Sequence, residues 1–183
     1  MGAMTEATDV LDKATDAALA LAAERPWRDV SLRDVAERAG IDFAGLYAAA
    51  PAKPLLLLRL SQRLDRAALA TAATPSDDVH DRLFDATMAR VEAMEAHREA
   101  LVAMARDEGP LAIAPHLPLT ARAILEAAGV TATPARLAAM TLVWARVARV
   151  WRDDEGALNR TMAEIDKRLK LMRERLARLG QGF

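Results

Sequence analysis

The sequence contains no cysteine and little aromatic side chain: one Tyr, three Trp and three Phe among 183 residues. Without cysteine, neither a disulfide framework nor a thiolate metal site can form. The shortage of aromatic residues removes the usual material of a β-sandwich or barrel. Histidine is scarce, with only His80, His97 and His116. Neither sign of charge dominates, because 25 basic residues stand against 26 acidic ones. Long apolar runs are also lacking. The four leucines Leu55 to Leu58 fall far short of the ~20 residues of a membrane helix, so no membrane partner is expected. No basic stretch followed by an apolar one opens the chain, and the expectation is a cytoplasmic protein.

What is present is alanine and leucine, within an apolar share of 52%. Both residues lose little side-chain freedom in a helix, so the expected class is all-α. Val10, Leu11, Ala14, Ala18 and Leu21 recur at helical spacing and predict a helix from about Thr8 to Arg25, closed by Pro26. Ser31 is a natural cap for Leu32 to Ala39, and Gly40 suits the left-handed residue after a helix. Asp42 caps a short helix from Phe43 to about Ala49, and Pro54 opens a fourth that runs to about Ala70. Ser76 is the expected cap of the next helix, marked by Leu83, Phe84, Thr87, Met88, Val91 and Met94. Another runs from near His97 to Asp107, and the proline-bearing stretch Pro110 to Pro118 reads as irregular. Further helices are expected from about Leu119 to Ala128, from Pro134 to about Trp151, and from beyond Gly156 to Leu179. The total is about nine helices. The natural division is into residues 5–53 and 54–183.

The segment from Ser31 to Lys53 reads SLRDVAERAGIDFAGLYAAAPAK. Two short helices hinged at Gly40, with Val35, Ala36, Ile41 and Leu46 as apolar pins, form a helix-turn-helix. Such a unit lays its second helix in a DNA major groove, or survives only as a structural module.

This segment resembles the TetR family of transcriptional regulators. The likeness runs without a gap from Leu11 to about Leu60, through AALALAAERPW, SLRDVAERAGI and GLYAAAPAKPLLL. It implies a TetR-like fold: a helix-turn-helix DNA-binding domain, then a helical domain for ligand binding and dimerisation. It also implies a non-enzymatic repressor with double-stranded DNA, a palindromic operator, as partner. The DNA-facing residues it implies are Ser31, Arg33, Asp42, Phe43, Ala44, Gly45, Tyr47, Ala48 and Lys53. Positions that are polar, basic or aromatic in the family hold Phe43, Ala44, Ala48, Ala49 and Ala50 here. The second helix therefore offers almost no hydrogen bond to a base edge, although Phe43 and the alanine methyls can touch thymine methyls. Charge is equally restrained. Residues 25–66 carry +3, and extending back to Thr5 returns the sum to −1, so weak or salt-sensitive binding is expected.

The last helix carries Leu158, Met162, Ile165, Leu169, Met172, Leu176 and Leu179 at spacings of four and three. The helix before it carries Leu137, Met140, Trp144, Val147 and Trp151. Either these stripes pack inside one subunit or they pair with a second copy. The resemblance implies a homodimer with a four-helix interface, formed by Leu137, Trp151, Leu158, Met162, Ile165, Leu169, Met172 and Leu176. The middle helices are rich in methionine, whose thioether adapts to irregular shapes. Phe84, Met88, Val91, Met94, Leu101, Met104, Leu117, Ile124, Leu125, Met140 and Trp144 can enclose a small apolar effector, or form ordinary core. By the resemblance, an effector there shifts the helix from Pro54 to Ala70 and re-spaces the two reading heads.

His80 lies near Asp77, Asp78, Asp81 and Asp85, but acidic residues in a first helical turn answer the macrodipole more simply than a metal. No nucleophile–base constellation, phosphate loop or metal-ligand spacing is evident, so no catalytic residue, metal or cofactor is expected. A fainter likeness, over Val143 to Leu169, is to TetR-like proteins that bind isoprenoid lipids and assist ubiquinone biosynthesis. It leaves open an accessory lipid-binding protein that has lost specific DNA binding.

Overall fold

A computed structural model describes residues 2–154 and 156–183. Among these it contains nine α-helices and no strand: α1 (Gly2–Glu24), α2 (Leu32–Ala39), α3 (Phe43–Ala49), α4 (Lys53–Ala70), α5 (Val79–Glu95), α6 (Arg98–Ile113), α7 (Leu117–Ala127), α8 (Pro134–Arg152) and α9 (Asn159–Arg178). The helices fall into two compact units. The first comprises residues up to Gln62 together with His97–Ala114, and the second comprises Arg63–Ala96 and Pro115–Phe183. The grouping is not sequential. α6 groups with α1, α2, α3 and the first part of α4.

In the first unit α1 packs on α2, α3 and α6. Ala14, Ala18, Leu21 and Ala22 of α1, Val35 and Ala36 of α2, Leu46 of α3 and Leu56 and Leu60 of α4 are all buried. Trp27, fully buried, donates its indole N–H to Glu108 Oε1 at 2.8 Å, which ties the turn after α1 to α6. Arg28 N donates to Asp107 Oδ2 at 3.0 Å and supports the same junction.

In the second unit α8 packs on α7 and α9, and α5 on α7 and α9. Leu83, Val91, Ile124, Leu125, Met140, Trp144, Val147, Ile165 and Leu169 form its core. Polar ties close its loops: Arg82 Nε donates to Ala128 O at 2.8 Å, and Thr161 donates from both N and Oγ1 to Asp154 Oδ2. The α5 cap is Asp78, which accepts from His80 N, and not Ser76, whose hydroxyl accepts from Asp78 N one turn earlier. The stretch expected to be irregular is largely helical. α6 continues to Ile113 across one break at Gly109 (φ +74°), and a 3-10 turn at Ala114–His116 leads into α7.

Candidate nucleic-acid interface

The two short helices are set by their own ends. Ser31 caps α2 reciprocally: its hydroxyl accepts from Asp34 N while Asp34 accepts from Ser31 N at 2.7 Å. The Ser31 bonds and the nearby Arg25 guanidinium hold the Asp34 carboxyl below its ordinary value. Gly40 stops α2 in the left-handed region (φ +63°), and Ile41 N reaches back to Ala36 O. Asp42 then caps α3 by accepting from Gly45 N at 2.8 Å.

This turn drives Leu46 into the core and leaves the rest of α3 outward. Tyr47 is 53% exposed, and Ala44, Gly45 and Ala48 are exposed beside it. Phe43 is half-buried, with its ring centroid 6.0 Å from that of Tyr47. The Arg33 guanidinium lies over the Phe43 ring at 5.2 Å. One surface thus joins Arg33, Phe43, Ala44, Gly45, Tyr47 and Ala48.

Two of the expected contacts are otherwise engaged. The Ser31 hydroxyl belongs to the α2 cap. Lys53 faces inward: its ammonium donates to Trp27 O at 2.8 Å, sits 4.5 Å from the Trp27 ring centroid and lies 3.8 Å from Glu108. A cation between a π-face and a carboxylate braces the turn after α1, with its side chain 21% exposed. The neighbouring arginines are also paired. Arg25 meets Asp34 at 2.9 Å, Arg38 grips Glu24 through both nitrogens, and Arg28 is shared between Asp29 and Asp107. The Arg38 hydrogen bond in turn lowers the Glu24 pKa. Among the described residues, Arg33 is the one cation of residues 25–53 with no carboxylate partner.

The residues expected to enclose an effector are divided between the units. Val91, Met94, Ile124, Leu125, Met140 and Trp144 are buried in the second unit, with Phe84, Met88 and Leu117 half-buried. Leu101 and Met104 lie on α6 in the first unit, where α6 packs on α1.

The long stripe of α9 is core, not free surface. Ile165, Leu169, Met172 and Leu176 are at most 3% exposed within the single chain, as is Trp151 of α8. The reason is that α5 and α8 already cover that face. Leu137 and Leu158 are half-buried, and Met162 is exposed. The outward apolar residue of α8 is Leu142, 70% exposed, flanked by Ala138 and Ala145.

Sequence reasoning missed a buried ion pair. Arg90 Nε donates to Asp65 Oδ1 at 2.6 Å, Thr120 Oγ1 donates to the same oxygen at 3.0 Å, and the Arg90 guanidinium lies 4.4 Å from the Trp144 ring centroid. Burial lowers the Arg90 pKa, opposed by Asp65. The signal was there to find: Leu83, Thr87, Arg90 and Met94 share one face of α5, and a charge on an apolar face requires a buried partner. His80 Nε2 lies 3.0 Å from Asp166 Oδ1, away from the aspartates beside it in sequence. Among the described residues no group of three or more acidic, His or Cys side chains is placed to hold a metal, and no helix is long and apolar enough to cross a membrane.

Residues 14–60 match the family model described as bacterial regulatory proteins, tetR family. No curated protein matches the chain. Among solved structures, a TetR transcriptional regulator from Rhodococcus sp. RHA1 is similar over 92% of this chain and 97% of its own, with a TM-score of 0.72 and 20% identity. A tetR-family transcriptional regulator from Streptomyces coelicolor is similar over 92% and 83%, with a TM-score of 0.56 and 21% identity.

Proposed function

We propose that this chain, whose residues 14–60 match the model of the tetR family of bacterial regulatory proteins, is a dimeric, ligand-responsive DNA-binding transcriptional regulator that acts as a repressor. The observation that carries the reading is the outward face of α3. An intact, capped helix-turn-helix leaves Tyr47 and its neighbours in solvent instead of folding them into the protein's own core. Residues 5–53 serve as the reading head, and residues 54–183 serve effector and partner subunit. The effector is a small apolar molecule taken up among Phe84, Met88, Met94, Leu117, Met140 and Trp144. The second subunit docks on the outward side of α8, around Ala138, Leu142 and Ala145. Two-fold pairing supplies two reading heads for a palindromic site. A mobility-shift assay at low salt tests this with the DNA upstream of the protein's own operon. Retardation of that duplex in preference to random duplex is expected, and equal retardation overturns the reading.

A second reading is favoured by the charge of the first unit, which holds nine basic and twelve acidic residues, with most of the cations near α3 already paired. It is an accessory protein for isoprenoid lipids on the same scaffold. Native mass spectrometry with added isoprenoid distinguishes it: a stoichiometric lipid adduct on a protein that does not select DNA favours this second reading.

A further inference from the structure

We propose that the recognition helix reads its site through the 5-methyl groups of thymine and not through hydrogen bonds to base edges; the inference rests on the DNA-binding reading above. The outward residues of α3 are Phe43, Ala44, Gly45, Tyr47 and Ala48, and of these only Tyr47 carries a polar side-chain atom. The Asp42 carboxylate accepts from Gly45 N and, as an acceptor only, cannot donate to the guanine and thymine oxygens of the major groove. Arg33, the remaining nearby cation, has its guanidinium carbon 5.2 Å from the Phe43 ring centroid, so cation and ring share one surface. What α3 presents is therefore methyl groups, two aromatic rings and a single hydroxyl, that of Tyr47. The base-edge feature they complement is the thymine methyl, the one apolar group exposed in the major groove.

Gly45 supports a close approach. Glycine is the poorest helix former after proline, yet a Cβ there would meet nothing of the protein nearer than Asp42 Oδ2 at 3.5 Å. The protein's own packing does not require the missing side chain. A flat backbone between Ala44 and Ala48 lets the helix settle deeper against the floor of a groove.

The test selects duplexes from a randomised library with the full-length protein, then resynthesises the enriched duplex with deoxyuridine in place of thymidine. Uracil pairs with adenine as thymine does and lacks only the methyl group. Expected is an enriched site with A·T pairs at the positions facing α3, and about fourfold weaker binding for each contacted methyl removed. Deoxyuridine outside the protected half-sites should leave affinity unchanged. The Phe43→Ala variant, its helicity checked by circular dichroism, should lose the thymine–uracil difference at one pair per half-site. An enriched site that binds equally well with uracil, or whose contacted positions are G·C, overturns the methyl readout and leaves the regulator reading standing. Failure to enrich any duplex overturns both.

Discussion

Two cations twenty residues apart show how the same charge can have opposite uses. Arg33 lies over the half-buried Phe43 ring with no carboxylate partner, whereas Lys53 is clamped between the Trp27 ring, the Trp27 carbonyl and Glu108. A duplex that recruits one arginine from each head releases about one counterion per contact, a slope contribution of roughly −0.9 in log affinity against log salt. Arg33→Ala should therefore flatten that slope by about one unit per head while leaving thermal stability nearly unchanged. Lys53→Ala should do the reverse: the melting temperature falls and the salt slope stays, because the lysine holds the turn after α1. Fluorescence anisotropy over a salt series, beside a thermal melt, separates the two. In the second unit the Asp65–Arg90 pair obeys a different rule. Asp65→Ala strands a buried guanidinium and should cost about 3–5 kcal/mol, while Asp65→Leu combined with Arg90→Met should cost far less, as measured by urea unfolding.

At the scale of the element, the helices of the reading head were legible because their limits are local. Ser31, Gly40 and Asp42 each act on backbone groups within three or four residues: Ser31 and Gly40 bound α2, and Asp42 starts α3. The stripe of α9 was legible as a buried face but not as to what buries it. A four-three spacing states that one side of a helix leaves water, and the same pattern serves a neighbour in the chain or a second copy. The neighbours are α5 and α8, and that pairing is set by contacts distant in sequence. The break at Gly109 was visible, whereas the helical turns beyond it were hidden behind prolines that are tolerated in first turns. Two substitutions measure the distinction. Leu169→Ala should cost about 2–5 kcal/mol of unfolding free energy, as a core leucine does, whatever the oligomeric state. Leu142→Arg, on the exposed side of α8, should leave the fold intact and shift light scattering from dimer to monomer mass. An unchanged mass would place the second subunit elsewhere.

Over the whole molecule, charge is distributed against the usual footprint of a DNA-binding protein. The first unit is net −3, while the α8 and α9 sequences alone hold eleven basic residues against three acidic ones. Affinity for a duplex then depends less on bulk attraction than on which internal pairs open when phosphate arrives. Glu24 on Arg38 and Asp34 on Arg25 are exposed pairs whose carboxylates compete, as tethered rivals, with the DNA backbone for the same arginines. Removing a rival should strengthen binding: Glu24→Gln is expected to tighten the complex and steepen its salt dependence, a gain of function produced by deleting a charge on the opposite partner. On the DNA-binding reading proposed above, these internal pairs act as a brake on adhesion to duplexes of any sequence.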